Sequence, residues 1–387
     1  EGCWGMSKWP MVRLGDVCEF VNGGTPSKKV QQFYSGTIPW ITSADIVSDE
    51  VKNARCFITE EAINNSTTKL VKKGTILLVT RTGVGKVAIT GMDLCFSQDI
   101  TGVLPDISKL NKKYLAYFLK SNINYFVYLQ RGATIQGITR NVVESLEITL
   151  SPLNIQKHIA DTLDKTQEII NGHKKQLAEL DNLIKAIFHE MFGDPITNER
   201  SWSLLQLNKL GELGRGVSKH RPRNAPELLG GIYPFIQTGD VANSDLYISE
   251  FTQTYNELGL SQSKMWHEGT LCITIAANIA KTAILGFDAC FPDSVVGFCA
   301  NENSNNIFIH YWFGFFQAIL EAQAPESAQK NINLRILNEL KVINPPPGPQ
   351  TEFAEIVTKI EEQKTIVKQA ITESQNLFNS LMSEYFD

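Results

Sequence analysis

The segment at 74–89, GTILLVTRTGVGKVAI, places a glycine and a lysine after a hydrophobic stretch, as phosphate-binding loops do. Such a loop has the pattern G-x-x-x-x-G-K-[ST], in which backbone N–H groups wrap the anion and a hydroxyl reaches Mg²⁺. Here Thr80 stands where the first glycine is required, and Val87 stands where the hydroxyl is required. We therefore do not expect nucleotide binding at this loop.

Two further stretches place residues of catalytic types together. Asn344 opens an Asn-Pro-Pro sequence like the motif of amino-methyltransferases, in which an aromatic fourth residue stacks on a flipped-out base. Pro347 occupies that fourth position here, and a helix start explains the prolines. Asp293 with Glu339 and Lys341 resembles a metal-dependent nuclease site, although the spacing is long and the first half of the chain has no counterpart. A standalone enzyme is thus the alternative, and we favour a recognition protein.

Cysteine and histidine spacing gives no metal-ligand pattern. The seven cysteines are an odd number without a C-x-x-C pair, which is typical of a reducing compartment, and no histidine forms an H-E-x-x-H pattern. No stretch approaches the length of about 18 apolar residues that a membrane helix needs. The sequence therefore predicts no metal, no membrane partner and a cytoplasmic location.

A polar loop near the end of each half carries side chains that can read base edges. It runs RGATIQGITR at 131–140 in the first half and includes QKNINLR at 329–335 in the second. Arginine and lysine pair with guanine, and glutamine and asparagine with adenine, in the DNA major groove. DNA readout is one interpretation, and a polar turn before the final strand is the other.

The formal net charge of −5 argues against nucleic acid as a partner until its distribution is considered. The segment at 154–194 holds seven acidic and five basic residues, and that at 349–387 holds seven and three. The rest is close to neutral, with basic residues collected in loops such as KHRPR at 219–223. Such a chain should bind DNA weakly alone and should need a partner to neutralise phosphates.

The elements that would position these loops occur twice in the chain. GTIL at 74–77 reappears as GTLC at 269–272, and GKVAI at 85–89 reappears as AKTAI at 280–284, both at an offset of 195. IPWI at 38–41 matches YPFI at 233–236 at the same offset. A tandem duplication usually folds as two copies related by a pseudo-two-fold axis.

Each half ends in a long charged stretch whose apolar residues are spaced alternately four and three apart, which is the a/d seam of a coiled coil. The second stretch repeats the seam at an offset of 194, and the polar His173, Lys364 and Ser374 interrupt it as tolerated or register-fixing residues. The seam residues are Ile159, Leu163, Ile170, Leu177, Leu180 and Ile184 in the first helix, and Phe353, Val357, Ile360, Val367, Ile371 and Phe378 in the second. We predict antiparallel packing of two rods, each roughly 50 Å long at about 1.5 Å per residue.

These patterns predict an α+β fold, with two tandem-repeated α/β domains separated by two long helices that form an antiparallel coiled coil with pseudo-two-fold symmetry. The predicted segments are 6–153 for the first domain, 154–194 for the central helix, 195–348 for the second domain and 349–387 for the C-terminal helix. Residues 1–5 precede Met6, where we expect the native chain to start.

In this combination the sequence resembles the specificity (S) subunit of Type I restriction-modification systems. The resemblance covers 6–387 and rests on the order of short motifs rather than on any one of them. These are WPMVRLGDV at 9–17, NGGTP at 22–26, IPWI, the 74–89 segment, which is similar to G-[DT]-[IL]-L-x-x-R-x-G-x-x-G-K, and the helix ends EMFGD at 190–194 and SEYFD at 383–387.

The resemblance implies that each globular half is a target recognition domain reading one part of a bipartite, asymmetric double-stranded DNA target. It implies that the helices dock two methyltransferase (M) subunits and that an endonuclease/translocase (R) subunit joins them. The S subunit is not a catalyst, so S-adenosylmethionine and ATP are expected in partner subunits and no cofactor in this chain. The implied location is a bacterial or archaeal cytoplasm, in association with the nucleoid.

We assign candidate DNA contacts to loop residues of both halves. They are Lys28, Thr42, Ser43, Arg81, Thr82, Lys86, Arg131, Gln136 and Arg140 in the first half, and Lys219, His220, Arg221, Arg223, Gln237, Thr238, Asn278, Lys281, Gln329, Lys330 and Arg335 in the second. A rod of roughly 50 Å corresponds to roughly 14 base pairs at about 3.4 Å each, so two short half-sites should flank several unread base pairs. A coiled-coil scaffold that binds protein rather than DNA is the third hypothesis.

Overall fold

The computed structural model describes residues 9–130, 137–276, 278–322 and 332–386, without the side chains of 316–322. Contacts divide the chain into two compact units. Unit 1 comprises Glu1–Gly172 with Ile371–Asp387, and unit 2 comprises His173–Ala370. Each unit therefore contains one globular domain and a part of each long helix.

Unit 1 builds its sheets from short apolar runs that end at glycines and polar turns. Its strands are β1 Met11–Arg13, β2 Cys18–Asn22, β3 Ile38–Ile41, β4 Glu50–Val51, β5 Cys56–Ile58, β6 Ile76–Val79, β7 Val87–Thr90, β8 Cys95–Phe96, β9 Ile100–Pro105 and β10 Glu147–Thr149. Its helices are α1 Leu14–Val17, α2 Glu60–Asn64, α3 Lys112–Ser121, α4 Ile123–Tyr128, α5 Arg140–Glu144 and the first part of α6 Leu153–Phe192. In the described residues the strands form sheets in the orders β2-β9-β6-β7-β4, β5-β3-β8 and β1-β10.

Unit 2 repeats this arrangement with a different sequence. Its strands are β11 Ser203–Gln206, β12 Gly211–Arg215, β13 Leu229–Phe235, β14 Tyr247–Ile248, β15 Gln253–Tyr255, β16 Met265–Trp266, β17 Leu271–Thr274, β18 Thr282–Leu285, β19 Ala289–Cys290, β20 Val295–Ala300 and β21 Lys341–Asn344. Its helices are α7 Leu207–Leu210, α8 Thr238–Asn243, α9 Glu257–Ser261, α10 Asn306–Ala322, α11 Leu334–Glu339 and most of α12 Pro347–Phe386. No described helix is long and apolar enough to cross a membrane.

The sheet orders of the two units match strand for strand. The sheets of unit 2 have the orders β12-β20-β17-β18-β14, β15-β13-β19-β16 and β11-β21. These orders are the same as in unit 1, except that β16 adds a fourth strand to the second sheet. Both units also pair their first and last strands antiparallel, Val12 with Ile148 and Leu205 with Val342. The predicted duplication of an α/β domain is confirmed.

The long helices pack antiparallel inside each unit. In unit 1, Ile159 and Leu163 from the start of α6 share a core with Phe378 and Tyr385 from the end of α12. In unit 2, residues from the end of α6 share a core with residues from the start of α12, and the ring centroids of Phe188 and Phe353 lie 5.5 Å apart. Both contacts join the start of one helix to the end of the other, as the seam pattern predicted.

Most of the predicted seam residues are buried. The buried seam residues are Ile159, Leu163, Ile170, Ile184, Phe353, Val357, Ile360 and Val367, whereas Leu177, Leu180, Ile371 and Phe378 are half-buried. The division of the chain into the four predicted segments stays a prediction.

Lys364 lies buried in the seam of unit 2. Its counterpart in the first repeat is the apolar Ile170. Its Nζ is 2.8 Å from an Asp181 oxygen and 2.7 Å from a Glu361 oxygen. Burial lowers the pKa of Lys364, but the hydrogen bonds to Asp181 and Glu361 outweigh it and hold the pKa above its usual value. The lysine is therefore charged and paired, which explains how the seam tolerates it.

Candidate nucleic-acid interface

The loop between β6 and β7 is a tight turn that exposes its polar side chains. The backbone N–H of Val79 donates to the carbonyl of Lys86 at 2.9 Å, and that of Gly85 donates to the carbonyl of Val79 at 3.0 Å. Thr82 and Gly83 between them adopt positive φ angles, while Arg81 and Lys86 are exposed. The turn thus presents an arginine and a lysine on a fixed backbone.

The loop between β17 and β18 repeats this turn. The N–H of Thr274 donates to the carbonyl of Lys281 at 2.9 Å, and that of Ala280 donates to the carbonyl of Thr274 at 2.8 Å. Gly85 has φ +95°, which suits glycine, and Ala280 at the equivalent position still adopts φ +59°. The turn therefore survives the loss of its glycine, whereas its side chains differ between the units.

Two other segments of unit 1, at Ser43 and Gly137, contact this turn. Arg81 forms an isolated antiparallel bridge with Gly137, and a side chain at Gly137 would lie 2.7 Å from Cγ of Arg81, so the close approach requires glycine there. Nζ of Lys86 donates to the carbonyl of the buried Ser43 at 3.3 Å. Three sequence segments that are far apart in the chain thus meet at Arg81 and Lys86.

Thr42 and Gln237 have a structural position in common. Each begins a short helix in which an aspartate three residues later, Asp45 or Asp240, accepts from its backbone N–H, at 2.8 Å and 2.7 Å. Burial raises the pKa of Asp45, but hydrogen bonds from Arg55 and Thr42 outweigh it and lower the pKa overall. Ser43 and Thr238 follow at the first helical position, where Ser43 is buried and Thr238 is half-buried.

Most basic side chains of the loop at 219–223 have acidic partners within unit 2. Arg221 and Arg223 both bind the Asp293 carboxylate, with N···O distances of 3.1 Å and 2.5 Å. Nε2 of His220 lies 3.6 Å from Glu227. Arg221 is exposed and Arg223 is half-exposed; both hold the loop to the turn after β19, and Lys219 is the exposed lysine of the loop.

Arg140 and Arg335 also occupy equivalent places in the two units. Each binds a glutamate one turn later in its own short helix, Glu144 at 2.6 Å and Glu339 at 3.1 Å. Lys28 and Asn278 are exposed, and Lys281 and Gln237 are half-exposed, with Gln237 donating to Gln253 at 2.8 Å. The predicted residues Arg131, Gln136, Gln329 and Lys330 lie outside the described residues.

Sequence reasoning missed an aromatic helix beside the unit 1 turn. Helix α4 packs its Ile123 against Gly85, where an added side chain would approach within 3.1 Å. Tyr125 and Tyr128 on this helix are 48% and 85% exposed. The sequence INYFVY could have indicated this surface, because two tyrosines on a short exposed helix offer rings and hydroxyls to a partner.

The residues of the two enzyme-like motifs are engaged in other contacts. The carboxylate of Asp293 is held by Arg221 and Arg223, and that of Glu339 by Arg335. Asn344 ends the edge strand β21, and its carbonyl accepts from the Ser203 hydroxyl at 3.3 Å. The two carboxylates thus have structural partners in unit 2, whereas the Asn344 contact involves only its backbone.

Comparison with known families finds one match that occurs twice. The family described as "Type I restriction modification DNA specificity domain" matches residues 6–182 and again residues 201–374. Among curated proteins, the MjaIX specificity subunit of Methanocaldococcus jannaschii is 26% identical over 277 residues, which is 66% of this chain and 63% of that protein. The EcoR124I/EcoR124II specificity subunit of Escherichia coli is 30% identical over 166 residues, 41% of each chain.

Two solved structures are similar to this chain in fold. The S subunit of a Type I restriction-modification system from M. genitalium has a TM-score of 0.61 at 16% identity, covering 98% of this chain and 96% of that one. A chain from a structure on assembly and conformational transition of the Type I R-M system has a TM-score of 0.59 at 15% identity, covering 98% and 97%. The curated matches, by contrast, span less than two thirds of the length of the two named relatives.

Proposed function

The chain belongs to the Type I restriction-modification DNA specificity family, and from that premise we propose that it is the DNA-reading subunit of such a system. The observation that carries the proposal is a pair of turns, after β6 and after β17, which share two backbone hydrogen bonds and a left-handed residue, Gly85 or Ala280, but carry different side chains. A conserved frame with divergent side chains is what two readers of different sequences need. Each domain then reads one half of a bipartite, asymmetric target.

The residues divide into two roles under this proposal. Arg81, Lys86 and Asn278 stand on turns fixed by backbone hydrogen bonds, which suits contact with base edges in the major groove. Lys28 and Lys219 lie on exposed loops and suit phosphate contacts, as does the hydroxyl of Tyr128. Arg221 and Arg223 serve mainly to shape their loop, because both are bound to Asp293.

Partners and chemistry follow from the same proposal. Two methyltransferase subunits dock on the long helices, and an endonuclease/translocase subunit joins the complex on double-stranded DNA. The chain carries no catalysis itself, so S-adenosylmethionine and ATP bind in the partner subunits. The complex acts in the cytoplasm, where it associates with the nucleoid.

Arg81→Ala should weaken DNA binding through one half-site only. Loss of a bidentate base contact costs about 1–3 kcal/mol, or roughly 5- to 150-fold in affinity. The measurement is the equilibrium affinity of the chain with its methyltransferase partner for duplexes in which either half-site is scrambled. We expect the variant to lose discrimination at the half-site of unit 1 and to keep it at the other.

Lys72→Ala is the matched control, because Lys72 is an exposed basic residue of the same unit that is bound to Asp93 and is not among the candidate DNA contacts. It should leave discrimination at both half-sites within about twofold of wild type, as surface substitutions usually do. If the wild-type complex retards no duplex at all, a protein-binding scaffold is favoured. Methyl transfer from S-adenosylmethionine by the purified chain alone would favour a standalone enzyme.

A further inference from the structure

The two long helices contain exposed residues that are identical in both repeats although packing does not require it. At the offset of 194, Asn182-Leu183 in α6 matches Asn376-Leu377 in α12. All four residues are exposed, with Leu183 46% and Leu377 53% accessible. One copy of the dipeptide lies in unit 2 and the other in unit 1.

The buried seam shows the opposite behaviour. Across the ten seam positions of the two helices, from Ile159 opposite Phe353 to Met191 opposite Tyr385, the repeats share no identical residue. The seam has therefore exchanged every side chain, including Ile170 for the charged Lys364. A dipeptide that stayed unchanged on the solvent side was retained for another reason.

Helix propensity and solubility do not supply that reason. Asparagine is a poor helix former, and an exposed leucine exposes apolar surface to water. Repeated lysine and glutamate pairs elsewhere on the helices suit any solvated helix, but an asparagine followed by an exposed leucine does not. A contact with another molecule does explain the retention of both residues.

The neighbouring charges define what that molecule presents. Leu183 and Glu190 are seven residues apart and lie on one helical face, and Leu377 and Glu384 repeat this relation. Both glutamates are exposed. A complementary surface has an apolar socket for the leucine, a partner for the asparagine amide and a basic side chain beside the glutamate.

We propose that these two faces, Asn182, Leu183 and Glu190 in unit 2 and Asn376, Leu377 and Glu384 in unit 1, each dock one methyltransferase subunit. Two identical faces on one chain call for two copies of the same partner, and a Type I complex would supply them. The inference rests on the proposed function and names the residues through which the helices hold the partner.

The chain supplies its own matched controls. Ile169 in unit 1 and Ile366 in unit 2 are exposed apolar residues on the same helices, 52% and 68% accessible. Their counterparts in the other repeat are Gln363 and Gly172, so neither isoleucine is duplicated. Each unit thus has one duplicated leucine and one unduplicated isoleucine to compare.

The experiment is native mass spectrometry of the full chain co-expressed with its methyltransferase subunit. We expect two partner copies on the wild type, one on Leu183→Glu or Leu377→Glu, and none on the double variant. Ile169→Glu and Ile366→Glu should keep both copies. In titrations, each leucine variant should lower the affinity of one methyltransferase site at least 10-fold. If the glutamate variants unfold, Leu→Ala variants at the same positions replace them in both measurements.

The outcomes separate this inference from the proposed function. A wild-type chain that binds no methyltransferase subunit contradicts the proposed function. A wild type that binds two copies while the double leucine variant, folded by its melting temperature, still binds two contradicts the docking assignment alone. Loss of copies in the isoleucine variants to the same extent also contradicts it, because apolar exposure rather than the repeated face would then decide binding.

Discussion

Replacing residues 200–344 with the second recognition domain of another family member should change one half-site of the DNA target and leave the other unchanged. The boundaries enclose both strands of the β11–β21 pair, so the exchanged segment carries the strands that close its own domain. The contact turn of unit 1 rests on β6 and β7, which the exchange does not touch. Binding at the old half-site should fall to the non-specific level, about 10³-fold or more weaker.

The donor domain must keep the apolar contacts to the helices for this exchange to fold. Leu207, Val342 and Ile343 belong to the same core as Phe188 and Phe353. The measurement is the methylated motif produced by the chimera together with the methyltransferase subunit. The reciprocal exchange of the first domain should change the other half-site, and a change of both half-sites by either chimera would refute modular readout.

Lys364→Ala should lower the free energy of unfolding by about 3–5 kcal/mol, the cost of removing one partner of a buried ion pair. The substitution leaves the carboxylate of Glu361 largely buried, and the Tyr311 hydroxyl donates to it at 3.3 Å. Asp181 is half-exposed and contributes less, because water screens it. Urea unfolding at neutral pH measures the loss.

Lys359→Ala on the same helix is the control, because Lys359 is exposed, and we expect a change within about 0.5 kcal/mol. Lys364→Met with Glu361→Gln should recover most of the loss, since an apolar side chain fills the seam and no buried charge remains. Equal stability of the Lys364→Ala and Lys359→Ala variants would show that the buried pair does not stabilise unit 2.

Local patterns in the sequence were sufficient to predict the repeated domain and the helices. The a/d spacing depends on neighbouring turns of one helix, and the GTIL and GTLC runs become the equivalent strands β6 and β17. Ala280 replaces Gly85 in the second repeat, and the structure shows that it keeps the left-handed backbone. Backbone hydrogen bonds on both sides of the turn hold that conformation.

The parts of the site that were not predictable depend on contacts between distant segments. Arg221 and Asp293 are 72 residues apart. The sequence therefore did not show that a carboxylate lies beside the basic loop that we assigned to DNA contacts. Lys364 was recognised as a break in the seam, but its partner Asp181 lies on the other helix and requires the helix register. The docking faces were visible as identity at the offset of 194, and burial was needed to show that packing does not explain it.

Modification-sensitive, long-read sequencing of the host genome with and without this gene tests whether this chain reads the DNA target. We expect deletion to remove adenine methylation from one interrupted motif, in which two short, different half-sites flank a fixed number of unread bases. Complementation with the wild-type gene should restore that motif. Methylation of the interrupted motif that persists without the gene would contradict the assignment of this chain as the reader of the sequence.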